Sequence, residues 1–372
     1  MAERQLIGVF GAGRNGSTLI ARLLDGSPDL WIHPIDVVFL PVWDDEAGLE
    51  RVRGESYRTA TTRRLRHLDA SLPWRRIAPL FTPQVDEIER DYLMHLVAPY
   101  PPRRRELAVL DRAGTTGPAE FFPAFLEAAR RTAAREPDPA PAALGFKTSE
   151  TAYVDEFARL WPKMQFVHIV RHPITNYAST KRTWMESKAT PFWTNGEDLL
   201  RTFLEARWLP HARAILRYSE SDPDRHVLVR YEDLCADPEG EVLRVCAQLG
   251  VRPPAEPARQ TSLGGERLRE LPPNPSVRGI ATPQEVVKDM SARFGYEQVV
   301  TPREAALIAR EVGPLGPALG YDDLPDPGGR LGLWLSWLPV DASERQNVAS
   351  RRRWLIELAR RRAYLTRTIL LP

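Results

Sequence analysis

Residues 5–10, QLIGVF, form an apolar run rich in β-formers and closed by Gly11, which predicts a short buried strand. GAGRNGS follows, and then TLIARLLDG. In that last stretch Leu19, Ile20, Leu23 and Leu24 fall on one helical face, and Gly26 stands where a helix stops. The first unit therefore reads as strand, glycine-rich turn, helix. The alternation resumes further on. LGFKT (144–148) predicts a strand running into a polar turn, VDEFARLWP a helix, FVHIV (166–170) a buried strand, and RHPITNYASTKRTW a turn into another helix. HVLVRYEDL (226–234) predicts a strand and EGEVLRVCAQLGV a helix. Strands alternating with helices predict an α/β fold, a parallel sheet flanked by helices. His168 alternates within FVHIV and reads as a sheet residue. LWIHPIDVVFLP supplies either a second strand or an active-site loop.

Two regions break the pattern. Residues 44–108 lack β periodicity and hold aromatics, arginines and prolines. With FFPAFLEAARRTAA (121–134), an amphipathic helix, they form a helical insertion over about 37–135 within a domain spanning 1–330. REPDPAPAA (135–143) reads as a surface loop. The second region is a C-terminal helical extension, 331–372. Between 345 and 367 it carries eight Arg against one acid, Glu357, with Trp354, Leu355, Leu358 and Leu365 as an apolar stripe. A helix packed on the domain or on a dimer partner is the first reading, and a membrane-surface contact the alternative.

Composition narrows the classes. The chain has 372 residues, 43% hydrophobic and 27% charged, with a net charge of +2. That balance is globular and gives no nucleic-acid signature. No apolar run is long enough for a membrane span, and the N-terminus MAERQLIGVF lacks the apolar core of a signal peptide. Two cysteines make no disulfide framework or zinc motif, so a cytoplasmic location is expected. Of the 51 basic residues only five are Lys, so each Arg must be argued from its position.

Gly11-Ala12-Gly13-Arg14-Asn15-Gly16 fits GxGxxG after a strand and before a helix. Backbone N–H groups and a helix N-terminus then face an anion. Ser17 and Thr18 add hydroxyls, and Arg14 adds a guanidinium suited to phosphate or sulfate. The pattern is not a Walker A loop, since Gly16 rather than Lys precedes Ser17, and no magnesium-holding carboxylate is evident for a P-loop kinase. An NAD(P)-dependent oxidoreductase remains an alternative, although Asp36 fits poorly as its ribose-binding acid. Arg171 follows FVHIV directly, at the carboxyl end of a strand, where open α/β sheets bind ligands. Ser179 lies eight residues on, up the following helix, so a guanidinium and a hydroxyl can share one phosphate.

These segments together resemble the sulfotransferase family. GAGRNGSTLIARLLDGSPDL resembles its 5′-phosphosulfate loop, and FVHIVRHPITNYAS its 3′-phosphate segment, with Ser eight residues after the Arg. GFKT resembles the K-T segment of bacterial and tyrosylprotein-type members, and VLVRYEDLCADPEGEVLRVCAQLGV the Y-E-D-L…P…L-G segment. The resemblance runs over roughly residues 5–320 and implies a P-loop-like α/β fold. It implies transfer of a sulfuryl group from 3′-phosphoadenosine 5′-phosphosulfate (PAPS), releasing adenosine 3′,5′-bisphosphate (PAP), without a metal. The implied acceptor is a small molecule or natural product bearing a hydroxyl, or alternatively an amine. By match, Arg14, Asn15, Gly16, Ser17 and Thr18 hold the phosphosulfate, and Arg171 and Ser179 the 3′-phosphate. PNPSVRG (273–279) resembles the loop that closes on the nucleotide, which makes Ser276, Arg278 and Gly279 candidates. Arg14 and Lys147 are candidates to neutralise the leaving phosphate. Many relatives carry a Glu after the first helix; here Ile35 occupies that position, which leaves His33 or Asp36 as the candidate base. A non-catalytic nucleotide-binding scaffold is the alternative from another class.

Overall fold

The computed structural model describes residues 4–37, 39, 72–73, 115–133, 141–149, 151–186, 199–257, 262–263, 266–267, 296, 299–336, 359, 362–363 and 366–370. Five strands build the main sheet: β1 (Gln5–Gly11), β2 (Leu30–Asp36), β3 (Ala143–Thr148), β4 (Gln165–Val170) and β5 (His226–Arg230). They lie in the order β2-β3-β1-β4-β5, and every pairing is parallel. The segment LWIHPID is thus a strand, the edge of the sheet, with its register broken between Ile32 and Asp36.

Alternation along β1 sends Leu6 and Phe10 to one face of the sheet and Ile7 and Val9 to the other, all buried. On the first face α2 (Pro118–Ala133) and α3 (Val154–Leu160) cover an aromatic core in which Phe10, Phe122, Phe146, Phe157 and Trp161 meet. On the second, α1 (Ser17–Leu24) and α8 (Pro238–Leu249), the latter preceded by α7 (Tyr231–Ala236), cover an aliphatic core around Ile20, Val167 and Val229. Strands buried on both faces read as continuous apolar runs, which is why FVHIV and QLIGVF stood out.

A third core lies beside β4. It joins α4 (Pro173–Glu186), a long helix built of α5 (Leu199–Phe203), a π turn (Leu204–Trp208) and α6 (Leu209–Ser221), and α9 (Pro302–Val312). A buried ion pair bridges α4 and α9, Lys181 Nζ to Glu304 Oε2 at 2.8 Å. The C-terminal chain returns to this core. Trp334 Nε1 donates to Thr366 Oγ1, Ile369 is buried, and Arg367 pairs with Glu205 at 2.8 Å. Of the basic segment 345–367, only residues 359, 362, 363, 366 and 367 are among those described. Most of the 37–135 insertion and all of PNPSVRG (273–279) also lie outside them. Among the described residues, no helix is long and apolar enough to cross a membrane.

Candidate active site

β1, β3 and β4 lie side by side, so the loops leaving their carboxyl ends share one edge of the sheet. The loop after β1 opens with Gly13 N–H donating to Gly11 O at 2.7 Å. Gly13 (φ 77°), Arg14 (φ 57°) and Gly16 (φ 99°) all take left-handed backbone. At position 16 space adds a second requirement for glycine, because a Cβ there would stand 2.4 Å from Tyr231 Cδ2. Among the described residues Arg14 is the one non-glycine at positive φ. That conformation costs about 1–2 kcal/mol, and it leaves the arginine side chain exposed on the loop. Gly16 begins α1 without a side-chain cap, and the first turn holds no acid. The positive end of the helix therefore faces the space above the sheet.

This loop is laced to the turn after β4. Asn15 is buried, donates from Nδ2 to Ile169 O at 2.5 Å, and accepts Ser17 N–H at Oδ1. Its side chain is thus consumed inside the protein, and only its main chain is left to offer an anion. Asn176, also buried, donates to Gly13 O at 2.9 Å. Arg171 donates from Nη1 to Arg14 O at 3.3 Å and from Nε to Thr175 Oγ1 at 3.2 Å. Its guanidinium lies 4.5 Å over the Tyr231 ring, a cation–π contact that desolvation strengthens. Trp208 Nε1 holds the Arg171 carbonyl at 3.1 Å. Ser179 is buried on α4, one turn beyond Thr175 and Asn176 on the same face. Arg14, Asn15, Gly16, Ser17, Thr18, Arg171 and Ser179 accordingly occupy one neighbourhood.

Lys147 is buried near the end of β3, opposite Val9 of β1. Asp36 is its register partner across β2, and Val37 N–H donates to its carbonyl at 2.8 Å. His33 sits within the irregular stretch of β2. It is 1% exposed, with the Trp31 ring edge-on at 6.1 Å and the Phe125 ring at 5.6 Å. Imidazole here is walled by aromatic carbon rather than open to water. Ser276, Arg278 and Gly279 lie outside the described residues.

Several residues of this neighbourhood carried no signal in the sequence. Asn176, Thr175 and Trp208 bind backbone or Arg171 itself, so their roles exist only once the loops are brought together. Tyr231 stood in the Y-E-D-L segment, but its place beneath Gly16 and Arg171 needs β5 beside β4.

A family model described as "Sulfotransferase family" matches residues 7–255. Among solved structures, the sulfotransferase domain from the curacin biosynthetic pathway is similar at 15% identity and a TM-score of 0.50, covering 87% of this chain and 100% of that one. The sulfotransferase domain of the Synechococcus PCC 7002 olefin synthase is similar at 20% identity and a TM-score of 0.50, covering 87% of this chain and 98% of that one. No curated protein matches the chain. The parallel five-stranded sheet is the fold of those structures, and a family match over well more than half the sequence settles membership: the chain belongs to the sulfotransferase family.

Proposed function

We propose that the protein moves the sulfuryl group of PAPS to a hydroxyl, or alternatively an amine, on a small molecule of natural-product type. The observation that carries this reading is the bond from Arg171 to the Arg14 carbonyl. It holds the glycine-rich loop against the turn that carries Arg171, an adjacency suited to a nucleotide with two phosphorylated positions. The uncapped amino end of α1, Arg14 and the hydroxyls of Ser17 and Thr18 suit the 5′-phosphosulfate. Arg171 and Ser179 suit the 3′-phosphate.

In the reaction the acceptor oxygen bonds to sulfur while the bond from sulfur to the 5′-phosphate oxygen breaks, and PAP departs with the added negative charge. Arg14 and Lys147 neutralise that charge. Positioning and fixed cations supply most of the rate, and no metal enters the chemistry. The acceptor proton passes to a base, for which His33 and Asp36 stand beside the β2 irregularity. An imidazole nitrogen can take that proton when an acceptor hydroxyl reaches it.

The test of the donor is a melting curve with adenosine 3′,5′-bisphosphate. A rise of several degrees is expected from a nucleotide held at about a hundredfold excess over its dissociation constant. Sulfuryl transfer should persist in EDTA. Absence of any rise overturns the donor assignment, and a rise without turnover on any acceptor favours a non-catalytic nucleotide binder.

The base is tested separately. His33→Ala should lower turnover by about 10²–10⁴-fold while the nucleotide-induced rise in melting temperature stays. Full turnover in that variant removes His33 and leaves Asp36 as the candidate.

A further inference from the structure

The long helix from Leu199 to Ser221 is interrupted where it passes the candidate active site. Pro210 has no N–H, and its ring crowds the carbonyl four residues back, that of Ala206. The chain answers with a π turn over Leu204–Trp208, and Leu209 N–H reaches back five residues to Leu204 O. Such widened turns re-aim side chains and cluster at functional sites. Here the two residues just before Leu209 both turn to the donor loops. Trp208 holds the Arg171 carbonyl. Arg207 extends to the glycine-rich loop, where a Cβ built on Gly13 would stand 3.3 Å from Arg207 Nη1. The Arg207 carbonyl accepts from Thr151 Oγ1 at 3.3 Å, which ties its backbone to the loop after β3. Arg207 itself is only partly buried.

We propose that Arg207 is a donor-binding residue, its guanidinium held over Gly13 to grip the 5′-phosphosulfate end of the nucleotide. The inference rests on the PAPS reading above. The phosphosulfate cradle then has cations on two sides, Arg14 on the loop itself and Arg207 arching over it from the helix. Arg171 belongs to the other end, where it packs on Tyr231 and reaches Ser179's helix. When the sulfur–oxygen bond breaks, the electron pair stays with the 5′-phosphate oxygen, and Arg207 meets that charge without transferring a proton.

Titration calorimetry with two nucleotides separates the possibilities. Adenosine 3′,5′-bisphosphate carries both phosphates, and adenosine 3′-monophosphate only the one assigned to Arg171 and Ser179. Arg207→Ala is expected to weaken the bisphosphate by about 10–100-fold, the loss of one or two charge-assisted hydrogen bonds, and to leave the monophosphate within about twofold. Arg207→Lys should recover part of the loss, since it keeps the charge but not the fork. Arg207→Gln, nearly isosteric and uncharged, covers the case in which the alanine variant does not fold. Equal losses for both nucleotides, or no loss for the bisphosphate, overturn the assignment. If the unmutated protein binds neither nucleotide, the donor reading itself falls and takes this assignment with it.

Discussion

Arg171→Ala is expected to weaken adenosine 3′,5′-bisphosphate by on the order of 100-fold or more. Truncating one partner of a buried, hydrogen-bonded charge pair costs about 2–5 kcal/mol, and each 1.4 kcal/mol is about tenfold in affinity. Arg171 is nearly buried, and three separate contacts fix its guanidinium: Thr175, the Arg14 carbonyl and the face of Tyr231. The side chain arrives already ordered, so little of its binding energy goes into freezing rotamers. Its loss also releases the Arg14 carbonyl and so loosens a loop already held at positive φ. Damage should therefore reach both ends of the nucleotide. Arg171→Lys should rescue only partly, because one ammonium cannot satisfy Thr175, the carbonyl and a phosphate in the same geometry. Calorimetry reads the result. Near-native affinity in the alanine variant removes Arg171 from the donor site.

The second large effect concerns stability below neutral pH. Three histidines meet inside the sheet: His168 on β4 lies 3.3 Å from His211 on α6 and 2.9 Å from His226 on β5. All three are buried. The His226 ring is stacked between Phe166 at 4.4 Å and Tyr218 at 4.2 Å, and the Tyr218 hydroxyl donates to Asp155 at 2.6 Å. Each hydrogen bond in the row needs a lone pair on one of its two rings, so neighbouring imidazoles cannot both be protonated without losing the bond between them. Burial pushes His211 down to about 3 and His226 to about 4, and holds His168 well below the ordinary range. The unfolded chain, with ordinary values near 6.5, takes up protons first. Their stabilising contribution is therefore complete above pH ~6.5 and is lost as the pH falls, toward ~4 for His226 and ~3 for His211. His226 alone should forfeit roughly 2–3 kcal/mol across that window, a large share of a typical domain's 5–15 kcal/mol. Asp29, paired with Arg252 and lowered to about 2, acts in a more acidic window. Urea unfolding at pH 7, 6 and 5 should show a falling midpoint. His226→Phe, which keeps the stack, should flatten the slope. An unchanged slope in that variant would mean that other groups carry the acid sensitivity.

How much of this could be read beforehand depends on the range over which each feature is encoded. β1, β4 and β5 were legible because a strand covered on both faces is a local apolar run. β2 was ambiguous because His33 and Pro34 interrupt it, and its strand character comes from pairing with β3. The glycine-rich loop and the Arg171–Ser179 spacing were legible as motifs, since both lie within one turn and the helix after it. The lacing between them was not, because Asn176 and Gly13 are 163 residues apart in the chain. The helix 199–221 went unread, as its periodicity is broken by Pro210. With it went Arg207, one arginine among 46 with no local mark. The histidine row is spread across residues 168, 211 and 226, and only the β4–β5 pairing and the packing of α6 assemble it.

The strand order carries a cost during synthesis. Of the five sheet strands the ribosome releases β1 before the others, yet β1 is the middle strand, and its two neighbours are residues 143–148 and 165–169. Until both have emerged, Leu6, Ile7, Val9 and Phe10 have no sheet to join, and β2 waits for the same third strand. Closing loops of this length before any strand pairing rewards them makes folding slow and leaves a sticky nascent segment exposed. The glycine-rich cradle, written directly after β1, is thus completed only once the chain through β4 at residues 165–169 has been translated.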